Sequence, residues 1–218
     1  MSKEYKYITI HTNNDNLIEF FDSLFNKKAI KEDAYLIYQL DASDKDYNLI
    51  NLIDSIRIDF NEEVKVFESN VIEHDNFIKL FELYKKYETK AYMNISILSQ
   101  MLFNDKSDDL NIIRNIVLKE IKKDNDFEFI AKAMFKNSLN VSKSANDAYM
   151  HRNTVINKLN SMKIRTGFDL QNFKDAFILY LFMSSSDWLC NMHNLFFMNW
   201  KNNLFMIKYF MWNTKLHK

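Results

Sequence analysis

A single glycine, no proline and a single cysteine in 218 residues exclude several kinds of chemistry before any pattern is read. A P-loop, a GxGxxG dinucleotide fingerprint and a glycine-rich oxyanion turn all bring backbone amides close to an anion. Each needs several residues without a Cβ to do so, and none can be written in this chain. Cys190 has no CxxC partner and cannot build an intramolecular disulfide framework. The histidines, at 11, 74, 151, 193 and 217, are scattered and show no HExxH spacing. No metal centre and no nucleophile with its base can be assembled from them. The expectation is a protein that is not an enzyme and uses neither cofactor nor metal. Asp41, Asp44 and Asp46 form an acidic run without the glycine of an EF-hand loop, and read as a solvated turn. No apolar stretch follows the opening MSKEYKYITIH, and mean hydropathy is -0.34. Neither a signal peptide nor a membrane span is expected, which points to the cytoplasm.

What is present is enough to fold. Hydrophobic residues make up 47% and aromatic residues 15% of the chain, which excludes wholesale disorder and supplies a core for one large or two modest domains. Formal charge is zero overall but uneven along the chain. Residues 1–127 hold 17 Lys and Arg against 24 Asp and Glu, whereas residues 128–183 hold 8 against 4. Positive charge gathered near one segment of a neutral protein suits a polyanion-binding module beside an acidic region.

Hydrophobic periodicity divides the chain. Tyr5–His11, Ala34–Leu40 and Glu63–Glu68 read as strands, alternating with helical stripes over Leu17–Phe25, after the capping candidates Asn14 and Asp15, and over Asp46–Ile56. From Glu73 strand signals stop. Helical stripes follow through Phe77–Tyr84, Ala91–Leu102 and Ile112–Ile121, broken by YETK and NDKSDD. The expected fold class is α+β, mostly helical, with a small N-terminal α/β region, a helical connector and a C-terminal helix-turn-helix bundle. The expected boundaries are 1–72 for a sensor-like α/β region, 73–125 for the connector, 126–183 for the helix-turn-helix and 184–218 for an aromatic-rich tail.

The segment 140–170, NVSKSANDAYMHRNTVINKLNSMKIRTGFDL, carries the functional signal. A first helix over Phe127–Asn137 is followed by a turn at SLN. Ser142 can cap a short second helix that buries Ala145 and Ala148, and Tyr149-Met150-His151 makes a tight connection to a third. There Val155, Leu159 and Met162 recur at helical spacing toward the bundle, leaving polar residues outward. Arg forks onto guanine O6 and N7, and Asn pairs with adenine N6 and N7, while hydroxyls and Lys suit phosphates. Arg152 is therefore the leading base reader, with His151, Asn153 and Asn157 behind it. Ser142, Lys143, Thr154 and Lys158 are assigned to phosphate. Gly167, alone of its kind, falls where a left-handed helix C-cap requires it.

HRNTVINKL, then RTGFDL, then NFKDAFILYLFM resembles the C-terminal helix-turn-helix of PucR-type transcriptional regulators, the family of purine-catabolism and sugar-diacid regulators. The resemblance covers about residues 127–183. It rests on Asn140, Val141, Ser142, Ala145, His151, Arg152, Asn153, Thr154, Leu159, Thr166, Gly167, Asp169 and Leu170. Asn157 and Lys158 stand where the family has Tyr-Arg. The resemblance implies a sequence-specific transcriptional regulator bound to double-stranded DNA, and one motif per chain implies a homodimer. In that family a sensory α/β domain often precedes the DNA-binding end. A small-molecule effector is compatible with residues 5–69, although no motif names one. The alternative is a non-DNA-binding helical scaffold or protein-interaction module with a degenerate helix-turn-helix.

The tail holds all three tryptophans, Trp188, Trp200 and Trp212. One reading is an interfacial helix that docks on a membrane or a partner, although Asn191, Asn194, Asn199, Asn202 and Asn203 interrupt every apolar face. The other is recently added sequence, read through a stop codon as Trp188.

Overall fold

The computed structural model describes residues 3–41, 44 and 47–184. Both readings of the aromatic tail fall on residues outside that set, as does Asp46. Residues 1–179 form one compact unit and 180–218 a second, of which only 180–184 are described.

The first unit is built on a five-stranded sheet in the order β2-β3-β1-β4-β5. The strands are β1 (Glu4–His11), β2 (Ile30–Glu32), β3 (Tyr35–Leu40), β4 (Lys65–Glu73) and β5 (Tyr92–Asn94). All pairings are antiparallel except β4 with β5. Between and after the strands come α1 (Asp15–Phe25), α2 (Leu49–Asp59), α3 (His74–Tyr87), α4 (Ile95–Asn104), α5 (Leu110–Lys122) and α6 (Asn125–Lys136). They are followed by α7 (Val141–Asp147), α8 (Arg152–Thr166) and α9 (Phe173–Met183). The fold class is α+β and mostly helical, with the helix-turn-helix at the C-terminal side, as expected.

Alternation along β1 explains the layers. Ile8 and Ile10 join Leu36, Tyr38 and Leu40 of β3 against Leu17, Phe21 and Phe25 of α1 and Leu49, Ile53 and Ile56 of α2. The intervening Tyr7 faces the other way and stacks on Phe77 of α3 at 3.9 Å, while Phe67 of β4 stacks on Tyr84 at 4.9 Å. Because successive strand side chains point to opposite faces, a strand buried as continuously as β1 must have helices on both sides. Asn14 does cap α1, accepting from the Asn16 amide at 2.9 Å.

Two strand expectations are corrected. Strand signals do not stop at Glu73, because Tyr92–Asn94 pairs with Val66–Glu68. Those three residues were hidden in what reads as one helical stripe, and Asn94 turns the chain by capping α4, its side chain accepting from the Ile97 amide at 2.9 Å. β4 also continues five residues past Glu68. Ser69 and Asn70 together face Tyr7 in a β-bulge, where the Tyr7 amide donates to Ser69 Oγ at 2.8 Å. A polar Ser-Asn pair reads as a strand end in sequence. Here it is the extra residue that bends a strand and aims a side chain.

Candidate nucleic-acid interface

α6, α7 and α8 pack on one another as a three-helix bundle. Small residues allow the close approach of the first two: Ser144 is buried and donates to the Ala133 carbonyl at 3.1 Å, beside buried Ala145 and Ala148. Lys136 and Asp147 tie their ends at 2.7 Å. The cap of α7 is Asn140, which accepts from the Lys143 amide at 3.0 Å. Ser142, expected as the cap, lies inside the first turn instead. Asn140 has the extended backbone of a cap, φ -83° and ψ 107°, which frees its side chain to reach forward.

The link from α7 to α8 is a Schellman turn. Met150 N–H bonds the Ala145 carbonyl at 2.9 Å and Tyr149 N–H that of Asn146 at 3.2 Å, with Tyr149 in the left-handed region at φ 53°. His151 then caps α8, its Nδ1 accepting from the Asn153 amide at 3.2 Å. As an acceptor at Nδ1, the neutral ring carries its proton on Nε2. Val155, Leu159, Met162 and Thr166 are buried along one stripe. The opposite side exposes Asn153, Asn157, Asn160 and Ile164.

Most of the expected contact residues come together on this exposed end. Ser142 and Lys143 in the first turn of α7, and His151, Arg152, Asn153, Thr154 and Asn157 at the start of α8, are all exposed. Lys158 is turned away. Its ammonium lies 2.8 Å from both Asp124 and Asp126, and these bonds hold it above the usual lysine range. Asp124, held low first by that lysine, also caps α6 through the Asp126 amide at 3.0 Å.

The positive charge of the segment is mostly consumed inside the protein. Lys132 pairs with Glu128, Lys136 with Asp147, Lys158 with Asp124 and Asp126, Lys163 with Asp169, and Arg165 with Glu4 and Glu120. Among the described residues, Lys143, Arg152 and Lys174 have no such partner. The sum of charges in the sequence therefore overstates the field available to a polyanion, and of the cations it leaves, Lys143 and Arg152 stand on the two helices that flank the α7–α8 turn.

Residues 130–184 match the family model described as the PucR C-terminal helix-turn-helix domain. The chain thus carries the domain that its HRNTV and TGFDL segments resemble, and the coarse reading as a transcriptional regulator follows from it. No curated protein sequence matches the chain. Among solved structures, a regulator of polyketide synthase expression from Bifidobacterium adolescentis is similar at 11% identity and a TM-score of 0.36, over 84% of this chain and 79% of that one.

The C-terminal half of the PucR-type α8 is anchored rather than displayed. Asn70, on the β4 bulge, donates to the Arg165 carbonyl, so a strand side chain satisfies one of the carbonyls a helix end leaves open. The Arg165 guanidinium reaches Glu120 of α5, which is fully buried, at 3.0 Å and Glu4 of β1 at 3.1 Å. Gly167 ends the helix at φ 78°, its N–H on the Lys163 carbonyl at 2.8 Å. A Cβ there would lie 1.9 Å from Ile95 Cγ2, so close approach to α4 requires glycine as much as the left-handed backbone does. Asp175 of α9, its carboxyl pushed up by burial, accepts from Ser96 of α4 and from the Asp169 amide at 2.9 Å. No local pattern signals this docking surface, because Asn70, Ile95 and Glu120 lie far apart along the chain.

Proposed function

We propose that this protein is a sequence-specific DNA-binding transcriptional regulator that inserts the N-terminal half of α8 into the major groove. The observation that carries this reading is the exposed Arg152 on the first turn of α8, without an ion-pair partner among the described residues and inside the matched domain. Arg152 serves as the principal base reader, forking onto a guanine, with Asn153 and Asn157 offering amides to neighbouring bases. His151 keeps Nδ1 on its cap and offers Nε2–H. Ser142, Lys143 and Thr154 hold the flanking phosphates. Lys158 reaches a phosphate only by leaving Asp124 and Asp126, and so contributes first by fixing α8 on α6. A single recognition helix reads few base pairs, so the protein acts as a homodimer on half-sites roughly 34 Å apart, on chromosomal DNA in the cytoplasm. The sheet at the other end of α8 is the natural place for an effector to act.

Sequencing of duplexes retained by the full chain from a random-sequence pool tests the proposal. An enriched motif with two-fold symmetry is expected, bound with an affinity that falls steeply as salt rises. Retention without enrichment, or affinity indifferent to salt, overturns it in favour of a helical module that contacts protein.

A further inference from the structure

Tyr149 is 95% exposed, more than any other large hydrophobic residue described. Its side chain makes no hydrogen bond, ring contact or other interaction with any described residue. It also occupies a position that suits an aromatic residue poorly. As the first residue beyond the α7 C-cap it adopts φ 53°, a conformation in which a Cβ crowds the backbone and where the turn of a helix-turn-helix often has glycine. The turn cannot swing away to hide the ring, because Tyr149 N–H and Met150 N–H both bond back to α7 and His151 caps α8 directly afterwards. A bare phenol on a backbone held at both sides thus stands two residues before the His151 cap, between Lys143 and Arg152 in sequence, neither of which has an ion-pair partner among the described residues.

Resting on the DNA-binding reading above, we propose that Tyr149 is a further DNA-contacting residue that clamps the sugar–phosphate backbone at the lip of the groove entered by α8. Its hydroxyl donates to a phosphate oxygen while the ring lies against the adjoining deoxyribose. Tyrosine combines an apolar body with a polar tip, and a backbone edge presents that same pair of surfaces. Recognition helices enter the groove N-terminus first, so a residue just ahead of the cap meets backbone rather than base edges. The contact fixes how deeply α8 seats and carries no base preference of its own.

Tyr149→Asn is the informative variant, because asparagine tolerates the left-handed backbone better than tyrosine does. On a duplex enriched from a random pool by the wild-type chain, affinity is expected to fall about tenfold, while the melting temperature stays level or rises. A merely structural role cannot give that combination. The slope of affinity against salt is expected to stay constant, since the phenol is uncharged, whereas Lys143→Met lowers it by about one phosphate. Tyr149→Phe, which keeps the ring and loses the hydroxyl, should weaken binding about threefold. Unchanged affinity in both tyrosine variants, beside a wild type that binds, overturns this contact and leaves the DNA-binding reading standing. A wild type that binds no duplex overturns both.

Discussion

The two halves of α8 present opposite chemistry on one continuous helix. The N-terminal half exposes Arg152, Asn153, Thr154 and Asn157 to solvent. The C-terminal half is held by a strand bulge through Asn70, by two carboxylates through Arg165 and by the close contact of Gly167 with Ile95. A helix 15 residues long spans about 22 Å, enough for one end to be read by a partner while the other is fixed to the sheet. Polar residues on one helix are therefore not equivalent. Arg152 and Arg165 look alike in sequence, yet one has no ion-pair partner among the described residues and the other bridges Glu4 and Glu120. A shift of β4 or α5 acts first on the anchored end, through Asn70 and Arg165, and the exposed end belongs to the same helix.

The sharpest way to break this contrast is Gly167→Ala. The new Cβ meets Ile95 and the backbone is left-handed, so stability should fall by about 3 kcal/mol, measured by denaturant unfolding. A loss below roughly 0.5 kcal/mol would mean that the anchor is soft. Arg152→Ala tests the opposite end and should do the reverse. DNA affinity is expected to drop by about 2 kcal/mol, roughly thirtyfold, with stability unchanged. Equal affinity in a gel shift removes Arg152 as base reader. Arg165→Met should then cost about 1–2 kcal/mol of stability, because buried Glu120 loses one cation yet keeps Lys123 at 2.6 Å. An effect on DNA affinity larger than on stability would contradict its place in the anchor. The smallest effect expected is that of Lys158→Met, a partly exposed ion pair, at about 0.5 kcal/mol. The dependence of DNA affinity on salt should keep its slope, and a slope lowered by one charge would place Lys158 on phosphate after all.

Much of the helix-turn-helix was legible because its signals are local. Val155, Leu159 and Met162 repeat at the helical period and are buried, and Gly167 stands at the left-handed cap that its position after the helix announces. Caps were legible as residue types but not as choices: Asn140 and Ser142 are both capping residues, and backbone geometry selected Asn140. The three-residue β5 escaped because a strand that short owes its existence to β4 beside it. The bulge escaped because Ser69-Asn70 signals an end unless a long strand closes around it. That Lys158 is paired was not legible, because its acidic partners Asp124 and Asp126 stand at the start of another helix.

The residues alone carry most of the order of helices and strands, the apolar seam behind α8, the chemistry of the residues on its exposed side and the family of the domain around it. All of these follow from periodicity and residue type over a few neighbours. Packing across the chain sets which cations among the described residues remain available, which end of α8 is anchored and that Tyr149 stands bare. Ion pairing and burial depend on residues brought together across the chain, as Glu4 is brought to Arg165. No local pattern encodes a distance of that kind.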